Sequence, residues 1–142
     1  MSSNIDIAAC MRCHCLAARR RAREITRIYE SHLRPHGLRA TQFSVLVALE
    51  VSGGAPLQVL AEELGVERTT LTRSAALMEQ KGWVRSGGSD DAREHPLELT
   101  RSGRSKLMAA YPAWKAAQDE AGSASGERAA EPAHRKRRRA AK

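Results

Sequence analysis

Residues 60–84, LAEELGVERTTLTRSAALMEQKGWV, contain two short helical patterns separated by one glycine. Leu60 and Leu64 fall one helical turn apart before Gly65, and a second apolar stripe follows it at helical spacing. That second stripe consists of Leu71, Ala75 and Met78. Glycine adopts the positive φ that lets two helices meet at a steep angle over a short turn. The stretch therefore predicts a helix-turn-helix.

The polar face of the second helix is rich in threonine and arginine. Its residues outside or beside the apolar stripe are Arg68, Thr69, Thr70, Thr72 and Arg73. Threonine hydroxyls bond phosphates or bases, threonine methyls contact thymine, and arginine binds guanine or phosphate. The pattern predicts a helix that enters the major groove of DNA with this face. An ordinary amphipathic helix with a solvated polar face is the alternative interpretation.

The pattern that follows is typical of a β-hairpin. WVRSG (83–87) and PLELT (96–100) are short β-type runs, separated by the turn formers and charges of GSDDAREH (88–95). Pro96 removes a ladder hydrogen bond, so the hairpin is expected to be short or twisted. The predicted fold class is mainly α with a small β-hairpin wing, a winged helix-turn-helix domain.

Flanking patterns predict further helices. Residues from Ile5 to about Leu33 lack Gly and Pro and predict one long helix, while Thr41 is expected to cap the next helix, with Val47 among its inward residues. The predicted regions are an N-terminal helix contributing to dimerisation (1–40), the winged helix-turn-helix domain (41–101), a C-terminal helix (102–120) and a disordered basic tail (121–142).

Composition and charge narrow the class of protein. The 142 residues suffice for one domain, and with five aromatic residues the core must be largely aliphatic. No apolar run approaches the ~20 residues that span a bilayer, and no signal pattern is present, so a cytoplasmic, non-membrane protein is expected. The net charge is +8, and residues 121–142 carry seven basic and two acidic residues. This excess favours a polyanionic partner, or reflects solubility alone.

The segment 60–84, followed by DDAREHPLELTRSGRSKL (90–107), resembles the MarR family of dimeric bacterial transcriptional regulators. RTTLTR (68–73) and the wing residues Asp91 and Arg93 are the most specific elements of this resemblance. It implies a homodimeric repressor that binds a palindromic operator in double-stranded DNA. It also implies that a small phenolic ligand or thiol oxidation releases the repressor from that operator. It also implies that Arg93 inserts into the minor groove, where a guanidinium is favoured, and that Asp91 braces the wing tip.

The C-terminal region departs from the family pattern. Where the resemblance implies a long helix and a further helix in the dimer interface, the chain has a polar, basic tail. Helical interfaces require substantial buried apolar area. We therefore expect the homodimer to be weakened.

All three cysteines fall in CMRCHC (10–15). On one continuous helix, Cys10, Cys13 and His14 would share a face and supply three metal ligands, but tetrahedral zinc needs a fourth and none is obvious. We therefore predict no metal site. Cys15 would face elsewhere, and its position resembles that of the sensing cysteine in hydroperoxide-responsive members of the family, with Tyr29 resembling a partner tyrosine. A small buried cysteine in an interface is the alternative interpretation.

An enzyme is not expected, because the sequence has no recognisable Ser–His–Asp set, phosphate loop or paired catalytic acids. No cofactor is predicted. The alternative function is a non-specific architectural DNA- or RNA-binding protein that uses the tail and the arginine-rich first helix.

Overall fold

The computed structural model of the chain describes residues 4–87 and 96–125. It is mostly helical and contains one two-stranded antiparallel sheet. The helices are α1 (His14–Leu33), α2 (Ala40–Ser52), α3 (Leu57–Leu64), α4 (Arg68–Gln80) and α5 (Arg101–Ser125), and the strands are β1 (Val84–Ser86) and β2 (Leu97–Leu99). Short 3-10 segments, Ile7–Arg12 and Arg34–His36, precede and follow α1. This architecture confirms the predicted fold class.

The helix-turn-helix of α3 and α4 forms as the sequence predicts. Gly65 ends α3 with a φ of 62°, and its amide donates to the carbonyls of Ala61 and Glu62. The three predicted stripe residues of α4 are all buried, together with Leu60 of α3. They join residues of α2 in one hydrophobic core.

The wing is short, and Pro96 lies just outside its second strand. The register pairs Val84 with Leu99 and Ser86 with Leu97. Leu97 also exchanges backbone hydrogen bonds with Ala55, at 2.9 and 3.1 Å, so the wing base is attached to the turn before α3. Because proline has no amide proton, a strand that begins after it loses no ladder bond.

Helix α5 begins at the wing and continues past its predicted end. The Thr100 hydroxyl accepts from the Gly103 amide at 3.0 Å and so caps the first turn of the helix. A Cβ at Gly103 would lie 2.0 Å from the Trp83 carbonyl oxygen, so only glycine allows this close approach of helix to wing. Pro112 lies inside the helix, which extends to Ser125 rather than ending at residue 120. Residues 126–142 of the predicted tail lie outside the described residues.

The predicted continuous helix from Ile5 is wrong. The chain forms a 3-10 segment over Ile7–Arg12, is extended at Cys13 (φ −75°, ψ 133°), and enters α1 at His14. None of residues 4–24 is buried. A short helix that buries no apolar face gains little from tertiary packing, so local hydrogen bonding decides its form. The Asp6 carboxylate supplies such a bond, accepting from the Ala9 amide at 3.2 Å.

The start of α2 also differs from the prediction. The helix begins at Ala40, and the cap comes from side chains other than Thr41. Gln42 Oε1 accepts from the Arg39 amide at 2.9 Å, and Glu30 Oε1 accepts from the Ala40 amide at 2.9 Å. The buried face of α2 is rotated so that Val45 is fully buried and Val47, predicted inward, is 38% exposed.

The C-terminal part of α1 packs against α5 through polar as well as apolar contacts. The Tyr29 hydroxyl donates to Gln118 Oε1, and His32 Nε2 lies 2.5 Å from Glu120 Oε2.

In the described parts of the chain, no helix is long and apolar enough to cross a membrane.

Candidate nucleic-acid interface

The outer face of α4 presents the five residues predicted to bind DNA. All of them are exposed, and none is paired with a carboxylate in an ion pair of the described residues. These residues are Arg68, Thr69, Thr70, Thr72 and Arg73. The Thr72 hydroxyl donates to the Arg68 carbonyl at 2.8 Å, which leaves both lone pairs of its oxygen free to accept. The face therefore offers two guanidinium groups and several hydroxyls to one surface.

The N-terminus of α4 lies beside this face. The helix begins at Arg68 without a side-chain cap on its first turn. Free amide groups at a helix N-terminus and the positive end of the helix dipole both favour a phosphate group. Backbone and side chains at this end of α4 thus suit a duplex DNA backbone and its base edges together.

The wing is held next to α4 by short-range contacts. Arg85 Nε lies 3.1 Å from Glu98 Oε2 across the two strands, and the Ser86 amide and hydroxyl lie 3.4 Å from Glu79 Oε1 of α4. The two residues predicted for the wing tip, Asp91 and Arg93, lie outside the described residues.

A second candidate site, which the sequence did not predict, is an open cleft of about 550 Å³ between α2 and α5. Its lining is mainly aliphatic and aromatic, with Glu50 as the charged member among the described residues that line it. Residues that contribute to it include Phe43, Val47, Val51, Met108, Tyr111 and Trp114. The sequence signal that could have indicated this cleft is the run of apolar residues in α2. It contains more apolar residues than one buried helix face needs.

The cysteine segment does not form the arrangement expected of a continuous helix. Because the backbone is extended at Cys13, Cys10 and Cys13 do not share one helical face with His14. All three cysteines are exposed. Within the described residues, no group of three or more His, Cys, Asp or Glu side chains is placed to hold a metal ion.

Cys15 and Tyr29 lie apart in one chain. Both belong to α1, 14 residues apart, which corresponds to about 21 Å along a helix axis. The Tyr29 hydroxyl is bonded to Gln118, and burial raises the pKa of this phenol above its usual value. Any contact between the two side chains therefore requires a second copy of the chain.

Comparison with known proteins identifies the family. A model of the MarR family matches residues 36–94. The chain is 34% identical over 85 residues to the uncharacterized HTH-type transcriptional regulator YwoH of Bacillus subtilis (strain 168). That match covers 60% of this chain and 62% of the length of the curated relative.

Solved structures extend the likeness beyond the helix-turn-helix. The M. tuberculosis transcriptional regulator MosR, crystallised in complex with DNA, is 41% identical, with a TM-score of 0.73 over 82% of this chain and 85% of that chain. Apo MarR from E. coli is 22% identical, with a TM-score of 0.66 over 76% of this chain and 82% of that chain, a likeness of fold alone. YwoH and MosR are named as transcriptional regulators, in agreement with the expectation that this chain is not an enzyme. The chain belongs to the MarR family.

Proposed function

We propose that this protein is a sequence-specific, DNA-binding transcriptional regulator that inserts α4 into the major groove. The observation that carries the proposal is the exposed threonine and arginine face of α4, which includes the exposed guanidinium of Arg73. Support comes from MosR, the 41% identical relative that was crystallised with DNA. Arg68 and the three threonines would share the contacts with bases and phosphates.

The finer parts of the proposal concern partners and regulation. The protein acts as a cytoplasmic repressor and binds a palindromic operator as a homodimer, because two symmetric copies of α4 match two half-sites. Arg93 of the wing enters the minor groove with Asp91 beside it. Release follows binding of a small aromatic ligand or oxidation of Cys15.

The test begins with selection of duplexes from a random library, since the operator is not known. The selected site is then measured against random duplex of equal length at one fixed salt concentration, because phosphate contacts depend strongly on salt. We expect a preference of about a hundredfold or more for the selected site. Equal affinity for both duplexes would support the alternative, a non-specific architectural protein, and would contradict the regulator.

The strength of the homodimer is a separate prediction. No residue of segment 4–24 is buried within one chain, so the segment is accessible for packing against a second copy. The polar C-terminal region nevertheless leads us to expect weak association. Sedimentation at micromolar concentration should give a monomer or a reversible equilibrium. A tight dimer at nanomolar concentration would contradict weak association and leave the DNA-binding proposal intact.

A further inference from the structure

We propose that one exposed face of α1 binds the phosphate backbone of a second DNA duplex while α4 occupies its own site. The residues that carry this binding are Arg19, Arg23 and Arg27, here called the α1 arginine row. The inference goes beyond the proposed function, which assigns the DNA contacts to α4 and the wing. It depends on the spacing and exposure of the row and on its lack of carboxylate partners among the described residues.

The α1 arginine row runs along one side of a continuous α-helix. Its arginines follow one another at intervals of four residues, and each interval corresponds to a rise of about 6 Å along the helix axis. All three residues are exposed. Tyr29 and Leu33, which pack on the core, lie on another side of α1. The row is therefore accessible to a partner outside the chain.

Ion pairs in the described residues bypass the α1 arginine row. Other arginines of the chain do have carboxylate partners, and these pairs are Arg12–Asp6 at 3.8 Å, Arg39–Glu30 at 3.1 Å, Arg85–Glu98 at 3.1 Å and Arg104–Glu50 at 3.0 Å. Glu30 belongs to α1, yet its ion pair is with Arg39 and not with the row. Glu24, the other carboxylate of α1, is exposed and forms no ion pair with the row. The positive charge of the row is thus left to solvent or to a partner.

Like charges at this spacing oppose the helix that holds them. Two cations four residues apart on a helix repel each other, and the row contains two such pairs, Arg19–Arg23 and Arg23–Arg27. The first turn of α1 contains no acidic residue that would offset this charge. A polyanion bound along the row would remove the repulsion. Such a conflict between local sequence and structure is typical of a functional site.

The chemistry of the row fits a duplex backbone. Guanidinium groups bind phosphate oxygens through paired hydrogen bonds, and a rigid line of them matches the regular charges of a duplex. Single-stranded nucleic acid would require aromatic side chains on which bases stack, and the row has none. Leu16 is the bulky apolar residue on this side of α1, and a lipid surface or a protein partner would require several.

The α1 arginine row and the outer face of α4 belong to different parts of the fold. Helix α1 packs mainly on α5 and α2, whereas α4 packs mainly on α2, α3 and β1. The two helices are not packing partners, so each can present its arginines to a separate duplex. A chain that uses both surfaces would hold two duplexes together.

The experiment holds the full chain on its immobilised selected duplex and adds a labelled random duplex of equal length at one fixed salt concentration. Retained protein measures binding to the selected site, and retained label measures capture of the second duplex. We expect wild-type protein to retain the label. The variant Arg19→Gln/Arg23→Gln/Arg27→Gln should weaken this capture by about tenfold or more, because three charge-assisted contacts are lost. Its own retention on the selected duplex should match that of the wild type.

A charge-matched variant separates the row from the general positive charge of the protein. Arg137→Gln/Arg138→Gln/Arg139→Gln removes the same charge from the basic tail and should retain the label as the wild type does. Stability provides a second readout. Glutamine favours helices about as well as arginine, and the row variant loses like-charge repulsion, so its urea midpoint should equal or exceed the wild-type value.

Several results would overturn the inference. Wild-type protein that retains no label would do so, as would unchanged capture by the row variant or an equal loss in the tail variant. A lower urea midpoint in the row variant would show that these arginines stabilise the fold instead. Stronger retention of a labelled single-stranded RNA of equal length would assign the row to RNA. Failure of α4 lowers the protein retained on the selected duplex, whereas failure of the row changes only the label, so the two outcomes are distinguishable.

Discussion

The sequence predicts a helix over α4 and also over residues 7–12, yet of these two regions only α4 is an α-helix, and residues 7–12 form a 3-10 segment. The stripe of α4 packs on α2 and α3 and is buried throughout, whereas Ile7 and Met11 are 70% and 63% exposed. Most of the stability of a protein helix comes from packing an apolar face. Residues 7–12, none of which is buried, lack this contribution, and local hydrogen bonding decides their form.

The largest expected effect is on stability. Leu71→Ala removes a side chain that is fully buried at the centre of the helix-turn-helix, and it should lower the free energy of unfolding by about 2–5 kcal/mol. The matched change Ile7→Ala, in the uncovered segment, should change it by less than about 0.5 kcal/mol. Urea denaturation of both variants at a protein concentration where the chain is monomeric measures the difference. Equal losses would show that the N-terminal segment is packed and that the contrast between the two regions is wrong.

An effect of intermediate size, on DNA affinity, is expected from oxidation of Cys15 in segment 4–24, where no residue is buried. Cys15 is exposed and lies one turn before Arg19 on α1. Titration with an organic hydroperoxide should release wild-type protein from its selected DNA site, with affinity falling about tenfold or more, while Cys15→Ser stays bound. In a homodimer, oxidation would introduce polar atoms at a helix contact and change the separation of the two α4 helices.

The Cys10→Ser/Cys13→Ser double variant is the control for this titration. It should release DNA as the wild type does, since neither thiol lies on α1. If Cys15→Ser also releases DNA, or if the wild type does not, Cys15 is not the sensing residue, and regulation must come from another input such as the α2–α5 cleft.

The smallest effect concerns Tyr29, at the boundary between the uncovered and the packed parts of α1. Burial raises its pKa above the usual value of 10, so the folded state holds the phenolic proton longer than the unfolded state does. This contribution to stability is fully present below pH 10 and is lost as the pH rises from 10 through the folded-state pKa. Tyr29→Phe should cost about 1 kcal/mol at pH 8, from the lost bond to Gln118. It should also reduce the fall of stability above pH 10, while Tyr111→Phe should keep the wild-type dependence.

Local signals in the sequence were sufficient for the DNA-binding half of the molecule. The stripe of α4 and the two short wing strands each depend on neighbouring residues, and the structure confirms both predictions. The exposure of Arg68 and Arg73 follows from the same helical spacing. The roles of these two arginines in binding DNA remain predictions.

Features that depend on distant residues could not be predicted. The cap of α2 comes in part from Glu30 in α1, so the adjacent Thr41 was a misleading signal. The ion pair at the cleft joins Glu50 of α2 to Arg104 of α5, which are far apart in the chain. Val47 was predicted inward because it is apolar, but it faces the cleft instead of the core. Tertiary packing decided each of these positions.

The central claim is that the outer face of α4 binds DNA, and one affinity comparison tests it most directly. Arg73→Ala and Arg20→Ala each remove one exposed guanidinium, the first from α4 and the second from α1. On the selected DNA site at fixed salt concentration, Arg73→Ala should weaken binding by about 1–3 kcal/mol and relax the preference at one base position per half-site. Arg20→Ala should keep both affinity and preference close to wild type. Unchanged binding by Arg73→Ala, or an equal loss in both variants, would contradict the assignment of α4 as the helix that contacts the bases.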